Sequence, residues 1–149
     1  MLENGTAWML VADGRRARVL VERRRGAALE ERNDLAMEIS EDELYDPQDR
    51  RARDSNRIGF GKHTVGNDRN LHEAEEEKFL KRVAEKVAEA EKQRQFDHLI
   101  IAAPPRALGM LRGMLPANAQ DKICATTPKD LVDEAAPKLR ERLQELLRH

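Results

Sequence analysis

The alternation of hydrophobic and polar positions predicts three short strands at the start of the chain. Residues 6–13 (TAWMLVAD) form an apolar run suited to a buried strand, and residues 17–23 (ARVLVER) form a second run. Asp13 and Gly14 lie between the two runs and predict a hairpin, because glycine readily adopts the positive φ of a tight turn. Residues 28–35 follow as a third strand. The N-terminal part is therefore predicted to be an antiparallel meander.

The pattern changes to helical spacing after residue 70. Asn70, with Glu73 three positions later, resembles the capping box that begins many helices. Acidic residues early in this stretch and basic residues later complement a helix dipole. Apolar residues then recur at helical spacing, namely Phe79, Leu80, Val83, Ala84, Val87 and Ala88.

Strands and helices alternate in the rest of the chain. Residues 98–103 (HLIIAA) read as a strand buried on both faces, and residues 104–116 as a helix bounded by prolines. A further strand is predicted at residues 122–126. The last helix is predicted from Thr127, with Pro137 breaking or restarting it. The apolar positions of the two helices are Ala107, Leu108, Leu111, Leu139, Leu143, Leu146 and Leu147.

This order of elements predicts the fold class. A strand–helix–strand order implies parallel strands joined by right-handed crossovers, here added to an antiparallel beginning. We expect a mixed α/β sheet of about five strands with covering helices. A chain of 149 residues, 40% hydrophobic, suits a single domain over residues 1–149 with a substantial core.

Composition excludes several classes of protein. The net charge of -1 argues against a histone-like polycation, and the single cysteine, Cys124, excludes an intrachain disulfide framework. The N-terminal apolar run, about five residues long, is too short for a signal peptide or a membrane-spanning helix. The sequence therefore predicts a cytoplasmic location and no membrane association.

Charge is distributed unevenly along the chain. Residues 15–25 hold six arginines and one acid, residues 38–49 hold six acids and no base, and residues 50–69 hold six bases and two acids. We call residues 50–69 the basic segment. Such an asymmetry allows a protein that is neutral overall to bind a polyanion locally.

The basic segment coincides with a stretch that has neither strand nor helix periodicity. A loop is predicted at about residues 46–70, and irregular loops of this length are usually functional or disordered. Its glycines allow close approach to a partner, its bases can contact phosphates, and Phe60 can stack on a base or fold onto the core. The residues predicted to bind RNA or another partner are Arg53, Arg57, Gly59, Phe60, Gly61, Lys62, His63 and Arg69.

Three arginines of the first hairpin, Arg15, Arg16 and Arg18, permit two interpretations. They belong either to the solvent-exposed face of the sheet or to a second phosphate-binding surface beside the loop. The turn at residues 103–106 (APPR) follows a strand, a common position for ligands. Because its two prolines lack amide donors, we interpret it as a structural turn.

Catalytic and metal-binding signals are weak. His63 is a candidate general base, but catalysis would also require an orienting partner and a nucleophile such as Ser55 or Thr64. His72 and Glu76 lie four residues apart, although without a third ligand or an HExxH arrangement. Cys124 is interpreted as a small buried hydrophobe. The sequence thus assigns no catalytic residue, metal site or cofactor.

Three stretches together resemble a known family. They are WMLVADGRRARVLV (residues 8–21), IGFGKH (residues 58–63) and FDHLIIAAPPRALGMLR (residues 96–112). In order and spacing they resemble the bacterial host-attachment protein family, which looks like a bacterial relative of the catalytic middle domain of archaeal and eukaryotic translation release factors. The resemblance implies a ribonuclease-H-like mixed sheet, with residues 51–70 in the place of the release-factor loop.

In release factors that loop carries a Gly-Gly-Gln tripeptide that reaches the peptidyl-tRNA ester. Here the nearest stretch is Gly59-Phe60-Gly61-Lys62-His63, which lacks the second glycine and the glutamine. The leading hypothesis is therefore a non-catalytic module that binds the ribosome or tRNA through the basic loop. Alternatives are a peptidyl-tRNA ester hydrolase and a protein-interaction or attachment factor. The sequence does not predict an oligomeric state.

Overall fold

The computed structural model of the chain describes residues 5–39 and 64–147. The strands are β1 (Ala7–Ala12), β2 (Arg16–Glu22), β3 (Leu29–Glu31), β4 (Met37–Glu38), β5 (His98–Ala102) and β6 (Ile123–Thr127). The α-helices are α1 (Thr64–Lys92), α2 (Pro105–Met114), α3 (Ala117–Gln120) and α4 (Ala136–Leu147), and a 3-10 helix spans Asn33–Leu35.

The strands of the described residues form one open mixed sheet. Their order is β3-β2-β1-β5-β6, with β4 paired to β2 beside β3. The pairs that β2 makes with β1, β3 and β4 are antiparallel, whereas β1 with β5 and β5 with β6 are parallel. The predicted mixed α/β class is confirmed. A sixth strand appears because the two-residue β4, too short for a periodic signal, also pairs with β2.

Both faces of the sheet are covered, because side chains alternate along each strand. Trp8, Leu10 and Ile101 contribute to a core that includes buried residues of α1 and α2. Met9 and Ile100 contribute to a second core that includes Leu131, Val132 and buried residues of α4. The central strands β1 and β5 are buried on both sides, as their continuous apolar runs predict.

The predicted start of α1 is wrong. The helix begins at Thr64, six residues before Asn70, so Asn70 is not its N-cap and residues 64–70 of the predicted loop are helical. The apolar stripe that signals the helix starts only at Phe79, the first buried hydrophobic residue of α1 among those whose burial is described. Turns that precede the packed part carry no stripe, and periodicity therefore places the start too late.

The predicted last helix is only partly correct. Thr127 is the last residue of β6 rather than a helix cap, and residues 128–135 are irregular. Pro137 lies in the first turn of α4, so the alternative in which the helix restarts at this proline is confirmed. Leu131 and Val132 of this irregular segment are nevertheless buried in the second core.

Candidate functional site

A cleft opens at the carboxyl ends of β1 and β5, where ligands often bind in open α/β sheets. We call it the carboxyl-edge cleft, and its volume is about 270 Å³. Four charged residues form its rim: Asp13, Arg15, Glu76 and Arg106. The first two follow β1, Glu76 belongs to α1, and Arg106 lies in the first turn of α2. Its floor is apolar and consists of Leu80, Pro104, Ala107 and Met110.

The hairpin after β1 forms one wall of the cleft. Asp13 Oδ1 accepts hydrogen bonds from the backbone amides of Arg15 and Arg16, each at 2.7 Å. Gly14 does not have the positive φ that the sequence predicts, so that reason for the glycine is wrong. A Cβ at this position would instead lie 2.8 Å from Cδ of Glu76. A larger residue at this position would therefore displace the Glu76 side chain, whose carboxylate packs against the turn.

Arg106 is held loosely on the opposite wall. Its Nη1 atom lies 3.5 Å from Glu73 Oε1 and 4.0 Å from Glu76 Oε2, and its side chain is 54% exposed. Ion pairs of this kind between exposed groups contribute little stability. The guanidinium therefore retains hydrogen-bond donors for a ligand. Sequence reasoning noted the strand end at residues 103–106 but missed Arg106, because it considered only the amides removed by the prolines.

The three arginines of the predicted second basic surface occupy different environments. Arg15 is exposed at the rim of the cleft. The Arg16 guanidinium is bound to Asp133, and the Asp133 carboxylate raises the pKa of Arg16. Only Arg15 therefore faces the cleft without a carboxylate partner among the described residues.

Arg18 lies in a half-buried network between the sheet and the segment before α4. Its Nε and Nη2 atoms donate to the two carboxylate oxygens of Glu31, each at 2.7 Å. Its Nη1 atom donates to the carbonyl oxygens of Val132 at 2.9 Å and Glu134 at 2.6 Å. The carboxylate of Glu134 in turn accepts from Arg142 of α4. Arg18 thus attaches residues 132–134 to the sheet.

The Arg18–Glu31 pair predicts a pH dependence of stability. The hydrogen bonds from Arg18 lower the pKa of Glu31 below its ordinary value of 4.5. A carboxylate whose pKa is depressed by folding stabilises the folded state above its unfolded pKa, and this contribution is lost as the pH falls through the folded pKa. Glu31→Gln should therefore lower the free energy of unfolding at pH 7 by about 1 kcal/mol. As the pH falls, the free energy of unfolding of this variant should decrease less than that of the unchanged protein.

Urea unfolding of both proteins at several pH values from 7 down to 3 measures this difference. The matched control is Glu30→Gln, since Glu30 is exposed and pairs with the exposed Arg23. The free energy of unfolding of the control should decrease with falling pH in parallel with that of the unchanged protein. Burial raises the pKa of Glu22, which opposes the effect of Glu31 on the pH dependence of stability. Because Glu22 is present in all three proteins, its contribution cancels in the comparison. Equal acid dependence of Glu31→Gln and the unchanged protein would contradict the prediction.

Most residues predicted to bind a partner lie outside the described residues: Arg53, Arg57, Gly59, Phe60, Gly61, Lys62 and His63. Arg69 belongs to the second turn of α1. His72 Nδ1 lies 3.7 Å from Glu75 Oε2, and within residues 5–39 and 64–147 no cluster of three metal-ligating side chains occurs. Whether the seven residues bind RNA stays a prediction.

The interpretation of Cys124 as a buried residue is wrong. Cys124 is exposed and lies at the irregularity in β6, where the pairing register with β5 shifts between Leu99 and Ile100. Its Sγ atom lies 3.6 Å from the Leu99 carbonyl oxygen, which accepts from the thiol. Partial burial raises the pKa of the thiol, so the reactive thiolate is scarce at neutral pH. An activated nucleophile is not found at this position.

Of the two described stretches that flank residues 40–63, β4 ends beside the cleft, whereas α1 passes the cleft at Glu76 and continues beyond it towards Thr64. The Ile39 amide donates to the Arg15 carbonyl oxygen at 2.8 Å, which places the end of β4 beside the hairpin. Helix α1 returns to the start of β5 and reaches the cleft at Glu76. The residues from Thr64 to Glu76 therefore extend about 18 Å beyond this edge of the sheet at 1.5 Å per residue.

The sheet, the helices on its two faces and the charged cleft at its carboxyl edge define a mixed α/β fold. Over residues 8–143 the chain matches the family described as "Protein required for attachment to host cells". The chain therefore belongs to this family, as the sequence resemblance predicts, and is an attachment-related protein. A search of the curated proteins found no match. Among the described helices, none is both long and apolar enough to cross a membrane.

Proposed function

We propose that this attachment-related protein is a cytoplasmic, non-catalytic module that binds ribosomal RNA or tRNA. The contact surface consists of the basic segment together with Arg15 and Arg106 at the carboxyl-edge cleft. An effect on attachment would then arise indirectly, through translation.

One observation carries the proposal: the positions of Ile39 and Thr64. Ile39 is bonded to the hairpin beside the cleft, and α1 projects beyond the same edge. The chain between them holds five of the six bases of the basic segment, and these follow the acidic residues 41–49, so the positive charge is concentrated in residues 50–62. The exposed Arg15 and Arg106 lie at that edge as well. A phosphate backbone is the partner that such clustered bases favour.

The resemblance to the middle domain of release factors also supports a ribosomal partner, because that domain acts on the ribosome. The Gly59-Phe60-Gly61 stretch, in place of Gly-Gly-Gln, favours binding without peptidyl release. An ester hydrolase would need a nucleophile or a positioned water together with a base.

The test is co-sedimentation of the purified full chain with ribosomes at two salt concentrations, about 50 and about 200 mM. We expect binding at low salt that weakens at least tenfold at the higher salt, because released counterions drive the association. A variant carrying Arg57→Ala, Lys62→Ala and Arg69→Ala should bind at least tenfold more weakly at low salt. Its salt dependence should be shallower, by about 0.7 to 0.9 in log–log slope per lost phosphate contact.

The matched control removes three positive charges at the opposite edge of the sheet. Arg23, Arg24 and Arg25 are exposed in the turn after β2. Their triple alanine variant should sediment with ribosomes as the unchanged protein does. No binding at low salt overturns the proposal, and so does an equal loss in both triple variants. Salt-insensitive binding also overturns it and directs attention to a protein partner.

A further inference from the structure

We infer that the carboxyl-edge cleft is a pocket for a single nucleotide unit of RNA. The phosphate lies between Arg15 and Arg106, and the base lies against the apolar floor. The inference rests on the proposed function because it names the chemical group of the RNA that this edge recognises. The assay below needs no ribosome, so the two proposals can fail separately.

The size and lining of the cleft favour one planar group. Its volume of about 270 Å³ is just below the range of roughly 300–1,000 Å³ found for small-molecule pockets. One base fits that space, whereas a dinucleotide needs more. Met110 is half-buried, so its thioether presents surface to the cleft, whereas Leu80 is 1% exposed and presents almost none. A thioether and aliphatic carbons at the floor can contact the face of an aromatic ring.

The two arginines at the rim supply the anion-binding groups. Arg15 is exposed, and no described carboxylate pairs with its guanidinium. Arg106 lies at 3.5 and 4.0 Å from its two acidic neighbours, distances too long for strong hydrogen bonds. Guanidinium groups bind phosphate oxygens in bidentate fashion, and two of them beside one space can hold one phosphate.

The acids at the rim weaken the attraction for any anion, so tight binding would require further contacts such as those of a ribose or a base. Asp13 and Glu76 balance the charge of the two arginines, which weakens the attraction for inorganic phosphate. A nucleotide also carries hydrogen-bond donors on its ribose and on the exocyclic amines of its base. The Glu76 carboxylate, packed against Gly14, is placed to accept from such donors.

Titration of the full chain with AMP, adenosine and inorganic phosphate, followed by NMR chemical shifts at low salt, tests the inference. AMP should bind at least tenfold more tightly than either fragment, with shifts at the amides of residues 13–15 and 106–110. Arg106→Ala and Arg15→Ala should each weaken AMP binding at least tenfold. Glu73→Gln should tighten it several-fold, because this change releases Arg106 from a competing carboxylate.

The matched control is Arg112→Ala, an exposed arginine on the same helix that does not line the cleft. It should bind AMP as the unchanged protein does. Equal binding of AMP and inorganic phosphate overturns the inference, because it leaves only an anion site. Unchanged AMP binding by Arg106→Ala, or shifts located elsewhere, also overturns it. AMP binding without ribosome binding would retain the pocket and refute the proposed function.

Discussion

Replacing Arg18 with alanine is expected to lower the free energy of unfolding by about 2–3 kcal/mol. The Arg18 side chain is only 18% exposed and makes four hydrogen bonds. The variant leaves the Glu31 carboxylate and the carbonyl oxygens of Val132 and Glu134 without these donors. A half-buried carboxylate that loses its charged partner costs more than an exposed one. The expected loss is therefore far above that of a surface ion pair.

Urea denaturation followed by the fluorescence of Trp8 measures this effect. Trp8 is the single tryptophan of the chain, is buried, and has its ring centroid 5.0 Å from that of Phe96. The matched control is Arg23→Ala, since Arg23 is exposed and pairs with the exposed Glu30. We expect the control to change the free energy of unfolding by less than about 0.5 kcal/mol. A similar loss in both variants would refute the role assigned to Arg18.

Leu131→Ala is expected to cost about 3 kcal/mol of the free energy of unfolding. Leu131 is buried in the second core with Met9 and Ile100, although it belongs to an irregular segment rather than to a helix. Truncation removes apolar burial and leaves a cavity beneath the sheet. The same urea titration measures the loss, and its slope with urea reports whether the segment also becomes exposed in the native state.

Leu146→Ala provides the comparison, because Leu146 packs at the edge of the same core and is only partly buried. We expect it to cost about 1 kcal/mol, since less apolar surface is lost. If Leu131→Ala costs no more than Leu146→Ala, then the segment before α4 does not close the core as described.

Several elements could be predicted from local pattern alone. The apolar runs that became β1 and β5 lie in the centre of the sheet, where both faces are buried and nearly every position favours a hydrophobic side chain. The stripe from Phe79 to Val87 predicted the packed part of α1 for the same reason. Each buried position carries a hydrophobic residue, so the buried strands and the buried helix face are visible as patterns in the sequence.

The carboxyl-edge cleft could not be predicted in this way. Asp13, Glu76 and Arg106 are far apart in sequence and meet only because β1 and β5 are adjacent and parallel, with α1 crossing their ends. Arg16 and Arg18 belong to β2 and Arg15 to the turn before it, yet the segment before α4 engages the first two and leaves Arg15 at the rim. Charge runs in the sequence contain no information about these partners.

The sequence by itself determined the mixed α/β class, the central strands, the helical stripes and the membership of the host-attachment family. Each depends on local spacing, or on motifs whose order and spacing along the chain are visible in the sequence. Only the tertiary structure shows that the residues before Asn70 are helical, that residues 128–135 are irregular, and that the Glu76 side chain packs against Gly14. Each of these features depends on whether the segment contacts a distant part of the chain. Hydrophobic periodicity is a local pattern and cannot indicate such contacts.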